Sequence, residues 1–314
     1  MTEIRPYRAG DEAGIRALYE ACHRRPLPAD DWSWRYTGKP VTQVALEGSA
    51  VVAHVAALRT KLERGDKTLS AGLWVDLMIH PGRQDAALLS GLAEAARQRA
   101  AEAGLELLLA FAHAPRAETL QKDLGWSRVG GLSALEGPFD SLNKTTPPPG
   151  MTTAHFPAFG ADHDALWERL RPKDRWCFPR RARRLNWRYF EPPLSPYRLW
   201  EARDASGKLS GWLAAKVFEG PNERVGDILD LWAEPGPACD ALLAAALRYF
   251  EGHSVPTVSA WASAGTPQHA LFSSWGLKPG AETIDFLACR TTGQREFPGR
   301  LEDWSLTKGD CQLF

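Results

Sequence analysis

Three side chains in the first half of the sequence could accept a proton during catalysis. Asp76 lies within an apolar run at residues 74–79, and His80 follows that run directly. His113 comes just after the next apolar run, at residues 105–111. A carboxylate or an imidazole in such a setting can act as a general base, which removes a proton from an attacking nucleophile. Burial raises the pKa of a carboxylate, so a position among tryptophans would suit Asp76 to this role.

Asp76 and His80 lie in a segment whose pattern predicts a buried strand, a short loop and a helix. The run at 74–79 is almost continuously apolar, which is typical of a strand covered on both faces. Pro81 and Gly82 end the strand. The first N–H groups of the following helix have no partner within the helix, so the loop predicts an anion site, for example for a pyrophosphate. The residues that recur at helical spacing after the loop are Ala86, Leu88, Leu89, Leu92, Ala95 and Ala96.

The loop after the strand resembles the donor loop of the GNAT family of N-acyltransferases. That family places Arg/Gln-x-x-Gly-x-Gly/Ala here to hold the pyrophosphate of acetyl-CoA. In the matching run, Gln84 fits the first position, Ala87 stands at the first glycine, and Leu89 stands at the second glycine or alanine. The resemblance implies acetyl-CoA or another acyl-CoA as co-substrate, and no metal. The donor-binding residues that it implies are Met78, Ile79, Arg83, Gln84, Asp85, Ala86, Ala87 and Leu88.

The resemblance also implies a fold and a reaction. Each half should be an α/β domain with a mixed, mostly antiparallel sheet flanked by helices, in which two neighbouring strands splay around the pantetheine arm. An amine would attack the thioester directly, and Asp76, His80 or His113 would act as the base. The family often carries a carboxylate at the position of Asp76. Alternatively, Asp76 and its counterpart Asp230 are structural, bonded to backbone or to an arginine of a Trp-Arg-Tyr element.

The family's usual general acid is missing from both halves. Many members place a tyrosine four residues before the glycine that ends the last helix, and these positions hold Gln121 and Phe272. The asparagine that is frequent at the start of that helix is also replaced, by Ala114 and Gly265. Either water or another group protonates the departing thiolate, or the site is not catalytic. A thiolate is a fair leaving group, so turnover does not require this acid.

The same pattern occurs twice along the chain. The Trp-Arg-Tyr element at 34–36 returns at 187–189, and Asp76 returns as Asp230, at offsets of 153 and 154 residues. Landmarks that stay in register over this length predict two tandem domains of one fold. The predicted organisation is an N-terminal GNAT-like domain at 1–142, a Pro-rich linker at 143–152, a C-terminal GNAT-like domain at 153–292 and a tail at 293–314 packed on the second domain.

Composition narrows the class of partner. Lys and Arg total 38, as do Asp and Glu, and this zero net charge gives no reason to expect nucleic acid or an anionic membrane. No leader and no apolar run long enough to cross a bilayer is visible. Five cysteines without metal-binding spacing indicate free thiols in a reducing cytoplasm. The stretch 171–188 interleaves arginines with aromatics, and could dock an acyl carrier protein or form a solvated helix face.

The resemblance implies an N-acyltransferase that moves an acyl group from acetyl-CoA or another acyl thioester to the amine of a small molecule or peptide, and the cysteine pattern predicts that it is cytoplasmic. The first domain would hold the donor, because its loop has Arg83 and Gln84 where the second has Pro237 and Ala238. Two alternatives stay open. The donor could carry a long acyl chain or be bound to a carrier protein. The chain could also be a non-catalytic binding protein on a decayed acyltransferase scaffold, because both donor loops lack the family glycine.

Overall fold

The computed structural model describes residues 2–83, 85–220, 223–292 and 298–311. Contacts between residues divide the chain into two compact units. Unit 1 comprises Met1–Gly130 and Ile284–Leu301, and unit 2 comprises Gly131–Thr283 and Glu302–Phe314. The domains proposed from the sequence follow chain order, whereas each unit also includes a strand from the other half of the sequence.

Twelve strands and eight α-helices lie in the described residues. The strands are β1 Thr2–Pro6, β2 Val41–Glu47, β3 Ala50–Arg64, β4 Lys67–Ile79, β5 Leu107–Ala112, β6 Ser127–Pro138, β7 Thr152–Ala154, β8 Arg198–Arg203, β9 Leu209–Glu219, β10 Arg224–Ala233, β11 Thr257–Ala260 and β12 Lys278–Arg290. The helices are α1 Glu12–His23, α2 Ala29–Tyr36, α3 Ala86–Glu102, α4 Ala114–Lys122, α5 Ala161–Leu170, α6 Ala182–Tyr189, α7 Pro237–Gly252 and α8 Pro267–Ser274. None of these helices combines the length and the apolar character needed to cross a membrane.

Unit 1 contains a mixed sheet in the order β1-β2-β3-β4-β5, followed by residues 284–290 of β12. The β4–β5 pair is parallel, from Ala71–Leu107 to Leu73–Leu109. The other pairings in this sheet are antiparallel over their described residues. The parallel pair has a structural cause, since α3 carries the chain back across the sheet between β4 and β5, as parallel strands require.

Helices cover both faces of the unit 1 sheet. Leu88 and Leu92 of α3 pack on one face in a cluster with Trp74 of β4. On the opposite face, Ile15 of α1 and Trp32 of α2 pack against the sheet. Because both faces are covered, β4 is a nearly continuous apolar run, as expected for a strand buried on two sides.

Unit 2 has the corresponding arrangement. Its sheet runs in the order β6-β11-β10-β9-β8-β7, with residues 131–138 of β6 inside the unit. β10 and β11 are parallel, from Val225–Thr257 to Ile228–Ala260, and α7 connects them. Helix α7 packs in one core cluster and α5 and α6 in another. The fold class predicted from the sequence, two tandem domains with mixed, mostly antiparallel sheets flanked by helices, is confirmed.

The last strand of each unit comes from the other half of the sequence. Residues 285–290 of β12 pair with β5 in unit 1, and Asp285 forms an ion pair with Arg128 at 2.7 Å. Residues 135–138 of β6 pair with β11 in unit 2. Each sheet is therefore completed by a strand that is distant in the sequence, and chain order alone does not delimit the units.

Close packing at Gly72 of β4 gives a test of this fold. A Cβ atom there would lie 2.9 Å from the Cβ of Ala57 and 3.0 Å from side-chain carbons of Leu105 and Leu108. We expect Gly72→Ala to lower the free energy of unfolding by about 1–3 kcal/mol, the usual effect of overpacking. Urea unfolding followed by circular dichroism measures it.

Gly38→Ala is the matched control, because no atom lies within 4 Å of a Cβ built at Gly38. This change should alter the free energy of unfolding by less than about 0.5 kcal/mol. Equal effects of the two substitutions would contradict the packing between β4 and its neighbours.

Candidate functional site

In unit 1, the strands β4 and β5 separate near the middle of β4. Their pairing stops at Leu73–Leu109, although β4 continues to Ile79 and β5 to Ala112. Next to this point β4 contains a bulge, since Asp76 and Leu77 together oppose the single residue Val55 of β3. Asp76 has a φ of 50°, in the left-handed region that non-glycine residues seldom adopt. We call the space beside β4 beyond Leu73 the unit 1 opening.

Side chains from three other elements bind the carbonyl groups around the bulge. The Nδ1 of His54 in β3 lies 2.9 Å from the carbonyl oxygen of Asp76, and Arg116 of α4 donates to the carbonyl of Leu77. The thiol of Cys22 in α1 donates to the carbonyl of Ile79 at 3.3 Å. The bulge interrupts regular pairing at Asp76 and Leu77, and buried carbonyls without a strand partner need other donors. The irregular strand is thus fixed from three sides.

The carboxylate of Asp76 is bound by the Trp-Arg-Tyr element at the end of α2. Nη1 of Arg35 lies 3.0 Å from both carboxylate oxygens, and the hydroxyl of Tyr36 donates to one of them at 2.7 Å. Burial alone would raise the pKa of Asp76, but Arg35, His54 and the hydrogen bond from Tyr36 hold it below its ordinary value. The carboxylate is therefore ionised and fully engaged. The alternative in which this aspartate bonds the arginine of Trp-Arg-Tyr describes the observed contacts.

His80 and His113, the other two predicted bases, lie at the ends of the two separating strands. Both are exposed, His80 just after β4 and His113 at the N-terminal cap of α4. The Nδ1 of His80 accepts a hydrogen bond from the N–H of Gly82 at 3.1 Å. Both imidazoles thus occupy the rim of the unit 1 opening, outside the cluster around Asp76.

Another histidine that the sequence analysis did not select, His23, interacts electrostatically with Asp76. The ring of His23 in the last turn of α1 is 4.3 Å from that of Tyr19. The negative charge of the Asp76 carboxylate acts to raise the pKa of His23. Burial lowers the pKa of His23 more than Asp76 raises it, so the pKa lies below 6.5 and the imidazole is neutral at pH 7. The helical spacing Ile15, Tyr19, His23 was the signal that could have placed this histidine on the sheet-facing side.

Three buried nitrogen atoms near the unit 1 opening have no hydrogen-bond partner within the described residues. They are Nε1 of Trp74, Nε2 of His54 and Nε of Arg35. Trp74 directly follows Leu73, the last residue of β4 that pairs with β5. Buried polar groups normally have partners, so these atoms mark places where a polar ligand atom would be stabilised.

The predicted donor loop begins α3 with its own acidic cap. The carboxylate of Asp85 accepts a hydrogen bond from the N–H of Ala87 at 2.8 Å, and Arg83 forms an ion pair with Glu47 at 2.6 Å. Gln84 lies outside the described residues. A pyrophosphate at this helix start would meet the negative charge of Asp85 and would compete for the N–H of Ala87.

The remaining predicted donor-binding residues lie on either side of this loop. Met78 and Ile79 pair with β3 at His54 and Ala53. Ala86 is the first residue of α3, and Leu88 is buried in the core. The structure thus places all the described members of the predicted set at the end of β4 or the start of α3.

Unit 2 keeps the aspartate and the tyrosine of this arrangement but uses a different arginine. The hydroxyl of Tyr189 donates to Asp230 at 2.5 Å, as Tyr36 does to Asp76. The arginine beside Asp230 is Arg180, at 2.8 Å, whereas Arg188 of the repeated Trp-Arg-Tyr element bonds Tyr197. The side chains of Arg180 and Arg188 are each only 1% exposed. The expectation that the basic stretch forms a solvated helix face is wrong for these two arginines.

The strand opening of unit 2 contains residues 302–311 of the same chain. β10 and β11 pair only as far as Ile228–Ala260 within the described residues, and Ser263 follows β11. The N–H of Ser263 donates to the carbonyl of Leu306 at 3.3 Å, and the N–H of Leu306 donates to the hydroxyl of Ser263 at 3.0 Å. Lys308 donates to Asp227 of β10. Lys308 also donates to Ser259 of β11, so this segment contacts both strands of unit 2 next to the point where their pairing ends.

The start of α7 in unit 2 also differs from a ligand-binding helix start. Pro237 is its first residue and has no N–H, and the next residues, Ala238 and Cys239, are buried in the core. A bound anion would need exposed N–H groups at this position.

The buried ion pair in unit 1 gives a prediction with a defined pH dependence. Asp76→Asn leaves Arg35 without its counter-charge, so we expect the free energy of unfolding at pH 7 to fall by about 3 kcal/mol. Because the pKa of Asp76 is lowered on folding, its contribution is present above the ordinary carboxyl pKa of about 4. It is lost as the pH falls through the folded-state pKa. The difference between variant and wild type should therefore shrink between pH 7 and pH 3 in urea titrations.

Asp285→Asn is the control, because its partner Arg128 has a side chain 48% exposed. A pair of this kind contributes at most about 1 kcal/mol. A variant at Asp76 that is no less stable than the control at pH 7 would show that the ion pair does not hold β4.

Comparison with known proteins supports the fold. No protein-family model and no curated protein matches the sequence at a significant level. Among solved structures, a GCN5-related N-acetyltransferase from Anabaena variabilis ATCC 29413 aligns with a TM-score of 0.71 and 12% identity, over 93% of this chain and 73% of that one. Saccharomyces cerevisiae N-myristoyltransferase with bound myristoyl-CoA aligns with a TM-score of 0.63 and 10% identity, over 92% and 79%.

One similar structure also has the tandem organisation. A tandem GNAT protein from the clavulanic acid biosynthesis pathway aligns with a TM-score of 0.63 and 16% identity, over 94% of this chain and 100% of that one. The structural alignments establish a common fold. At sequence identities this low they do not establish a common reaction, which has to be argued from the site. The chain therefore has the fold of the tandem GNAT N-acyltransferases.

Proposed function

We propose that the protein is an N-acyltransferase that moves an acyl group from an acyl-CoA thioester to an amine, and that the reaction occurs at the unit 1 opening. The observation that carries this proposal is the separation of β4 from β5 at Leu73, with the unpartnered N–H of Trp74 beside it and His23 within electrostatic range of Asp76. The fold shared with N-acetyltransferases agrees with it.

Unit 1 is favoured over unit 2 by what lies at each opening. Residues 302–311 contact both separating strands of unit 2, and Pro237 and buried residues begin its α7. In unit 1, α3 begins with the exposed residues Asp85 to Ala87. A donor phosphate can approach an exposed helix start and cannot approach a buried one.

The donor in this proposal is acetyl-CoA or another acyl-CoA. A long-chain donor is the main alternative, because the structurally similar yeast enzyme is an N-myristoyltransferase with myristoyl-CoA bound. Delivery of the acyl group by an acyl carrier protein is a further possibility for the same chemistry. The acceptor would be an amine-bearing small molecule or peptide. A cytoplasmic location fits the five cysteines, whose sulfur atoms are not joined in disulfides.

We assign the catalytic roles to two groups. The acceptor nitrogen attacks the thioester carbon, so that the C–N bond forms as the C–S bond breaks, and the nitrogen loses a proton. We assign that proton to His23, because a neutral imidazole accepts a proton whereas the ionised Asp76 is already bound by Arg35 and Tyr36. Asp76 is then a positioning residue. Water protonates the CoA thiolate, since neither Gln121 nor Phe272 can do so.

A non-catalytic binding protein is the second candidate function. Its specific support is the donor loop, where Arg83 is paired with Glu47 and Asp85 caps α3. Mass spectrometry of the purified protein for retained CoA separates the candidates only in part. Amine-dependent release of free CoA thiol decides between them, because a binding protein would retain CoA without releasing thiol from acetyl-CoA.

Removing the charge of Asp85 should strengthen donor binding. Asp85→Ser keeps an N-cap that can accept from Ala87 and removes the negative charge from the predicted phosphate site. A charge at a helix terminus contributes about 0.3–1 kcal/mol, so acetyl-CoA should bind roughly two- to fivefold more tightly. Isothermal titration of the full chain with acetyl-CoA measures this change.

Asp240→Ser makes the same substitution in the first turn of α7 in unit 2. Its affinity for acetyl-CoA should equal that of the wild type. If Asp240→Ser alone changes the affinity, the donor site is in unit 2. If acetyl-CoA binds neither the wild type nor either variant, the result favours a longer-chain or carrier-bound donor, or a non-catalytic binding protein.

Replacing His23 should remove most of the activity. His23→Gln keeps a polar side chain of similar size without a proton acceptor near neutral pH, and we expect the rate to fall about a hundredfold. Thiol release from acetyl-CoA, measured with a panel of small amines and lysine peptides, gives the rate. The wild-type rate should rise with pH as His23 loses its proton, below pH 6.5, and then level off. That rise should be absent in the variant.

His80→Gln and His113→Gln are the matched controls on the rim of the opening. Each should change the rate less than roughly tenfold, well below a general-base contribution. If the rate falls strongly in either control and does not change in His23→Gln, the general base is that rim histidine, as the sequence analysis proposed.

A further inference from the structure

Within residues 302–311, each position from Thr307 to Asp310 makes contacts with unit 2 that depend on the type of residue at that position. The hydroxyl of Thr307 donates to Oδ1 of Asp230 at 2.6 Å and accepts from Nη2 of Arg180 at 2.7 Å. A valine in this place would have the same shape and neither bond. Thr307 thus joins two buried charged side chains of unit 2.

Lys308 fills a polar pocket formed by two paired residues of β10 and β11. Its ammonium group donates to the carboxylate of Asp227 on β10 and, at 2.8 Å, to the hydroxyl of Ser259 on β11. The residue is only 3% exposed, so its contacts with Asp227 and Ser259 are shielded from solvent. A buried carboxylate facing a lysine is strongly unfavourable once the lysine is removed. The pocket therefore selects a cationic side chain.

The next two positions are equally restricted. A Cβ at Gly309 would lie 2.0 Å from Oδ2 of Asp230 and 2.5 Å from the hydroxyl oxygen of Tyr189, so no larger residue fits. Asp310 is fully buried, with its carboxylate 2.7 Å from Nη1 of Arg180 and 3.7 Å from Nη2 of Arg184. This pocket selects an anionic side chain two residues after the cation.

We propose that unit 2 is a peptide-recognition site that binds the sequence Thr-Lys-Gly-Asp, with residues 302–311 as its resident ligand, and that it binds other peptides with this sequence when the resident segment is displaced. Asp227 and the pair Arg180 and Arg184 form two oppositely charged pockets at a fixed spacing. A ligand with a cation and an anion two residues apart matches both pockets at once, whereas a simple anion matches only the arginine pocket and an acyl chain matches neither. This inference does not depend on acyltransferase activity.

Competition from the resident segment determines how the site must be tested. A tethered ligand has an effective concentration of about a millimolar or more, so a free peptide cannot displace it from the wild-type chain at micromolar concentration. The full chain with Gly309→Ala carries a resident segment that clashes with Asp230 and Tyr189. This variant should therefore accept a free peptide that has the wild-type sequence.

The experiment measures binding of a fluorescein-labelled peptide of residues 302–311 by fluorescence anisotropy. We expect the Gly309→Ala chain to bind it at least tenfold more tightly than the wild-type chain does. Peptides with Lys308→Met or Gly309→Ala should not compete with it. Equal binding to both chains, or no binding to a Gly309→Ala chain that circular dichroism shows to be folded, would overturn the proposal.

Two further measurements keep the test decisive if Gly309→Ala does not fold. Thr307→Val removes the hydroxyl contacts to Asp230 and Arg180 and the capping contact to the N–H of Asp310, and should increase peptide binding relative to wild type, by a smaller factor. In the wild-type chain, the amides of Leu306 and Thr307 should exchange hydrogen by local release, faster than the amide of Ile228 in β10. Exchange of all three only through global unfolding would show that the segment is a permanent part of the fold and would overturn the proposal.

Discussion

The buried ion pair between Arg35 and Asp76 is the interaction on which the arrangement of unit 1 depends. An ionised carboxylate inside a protein is tolerated only with a charged partner and hydrogen bonds, and α2 supplies both through Arg35 and Tyr36. Asp76 lies on the bulge of β4 with a left-handed backbone, so the pair holds an otherwise unfavourable strand shape. The bulge lies next to the point where β4 separates from β5, and this separation forms the opening.

Unit 2 meets the same constraint with different partners. Asp230 and Tyr189 repeat the aspartate and the tyrosine, but Arg180 supplies the positive charge and Thr307 adds a hydrogen bond from residues 302–311. Here the buried charges extend beyond one pair, because Asp310 also binds Arg180. A fold present twice in one chain has therefore been stabilised in two ways, and we propose a thioester reaction for one opening and peptide recognition for the other.

The two helix starts follow the same division. In unit 1, Asp85 satisfies the N–H of Ala87 with an exposed carboxylate, which is compatible with solvent access but unfavourable for an incoming phosphate. In unit 2, Pro237 removes one N–H and burial covers the next residues. The acidic cap is the physical feature of unit 1 that most opposes a pyrophosphate. Donor binding there therefore depends on the balance between exposed N–H groups and one negative charge.

The sequence by itself determined the fold, because apolar periodicity, the strand-loop-helix pattern and the repeat at offsets of 153 and 154 are local or periodic signals. It also identified Asp76 and an arginine of Trp-Arg-Tyr as possible partners. Only the tertiary structure decided that Arg180 replaces Arg188 beside Asp230, that His23 lies near Asp76, and that residues 302–311 enter unit 2. These contacts join residues 50 to 77 positions apart, and local sequence patterns do not specify which distant side chains meet once strands pair.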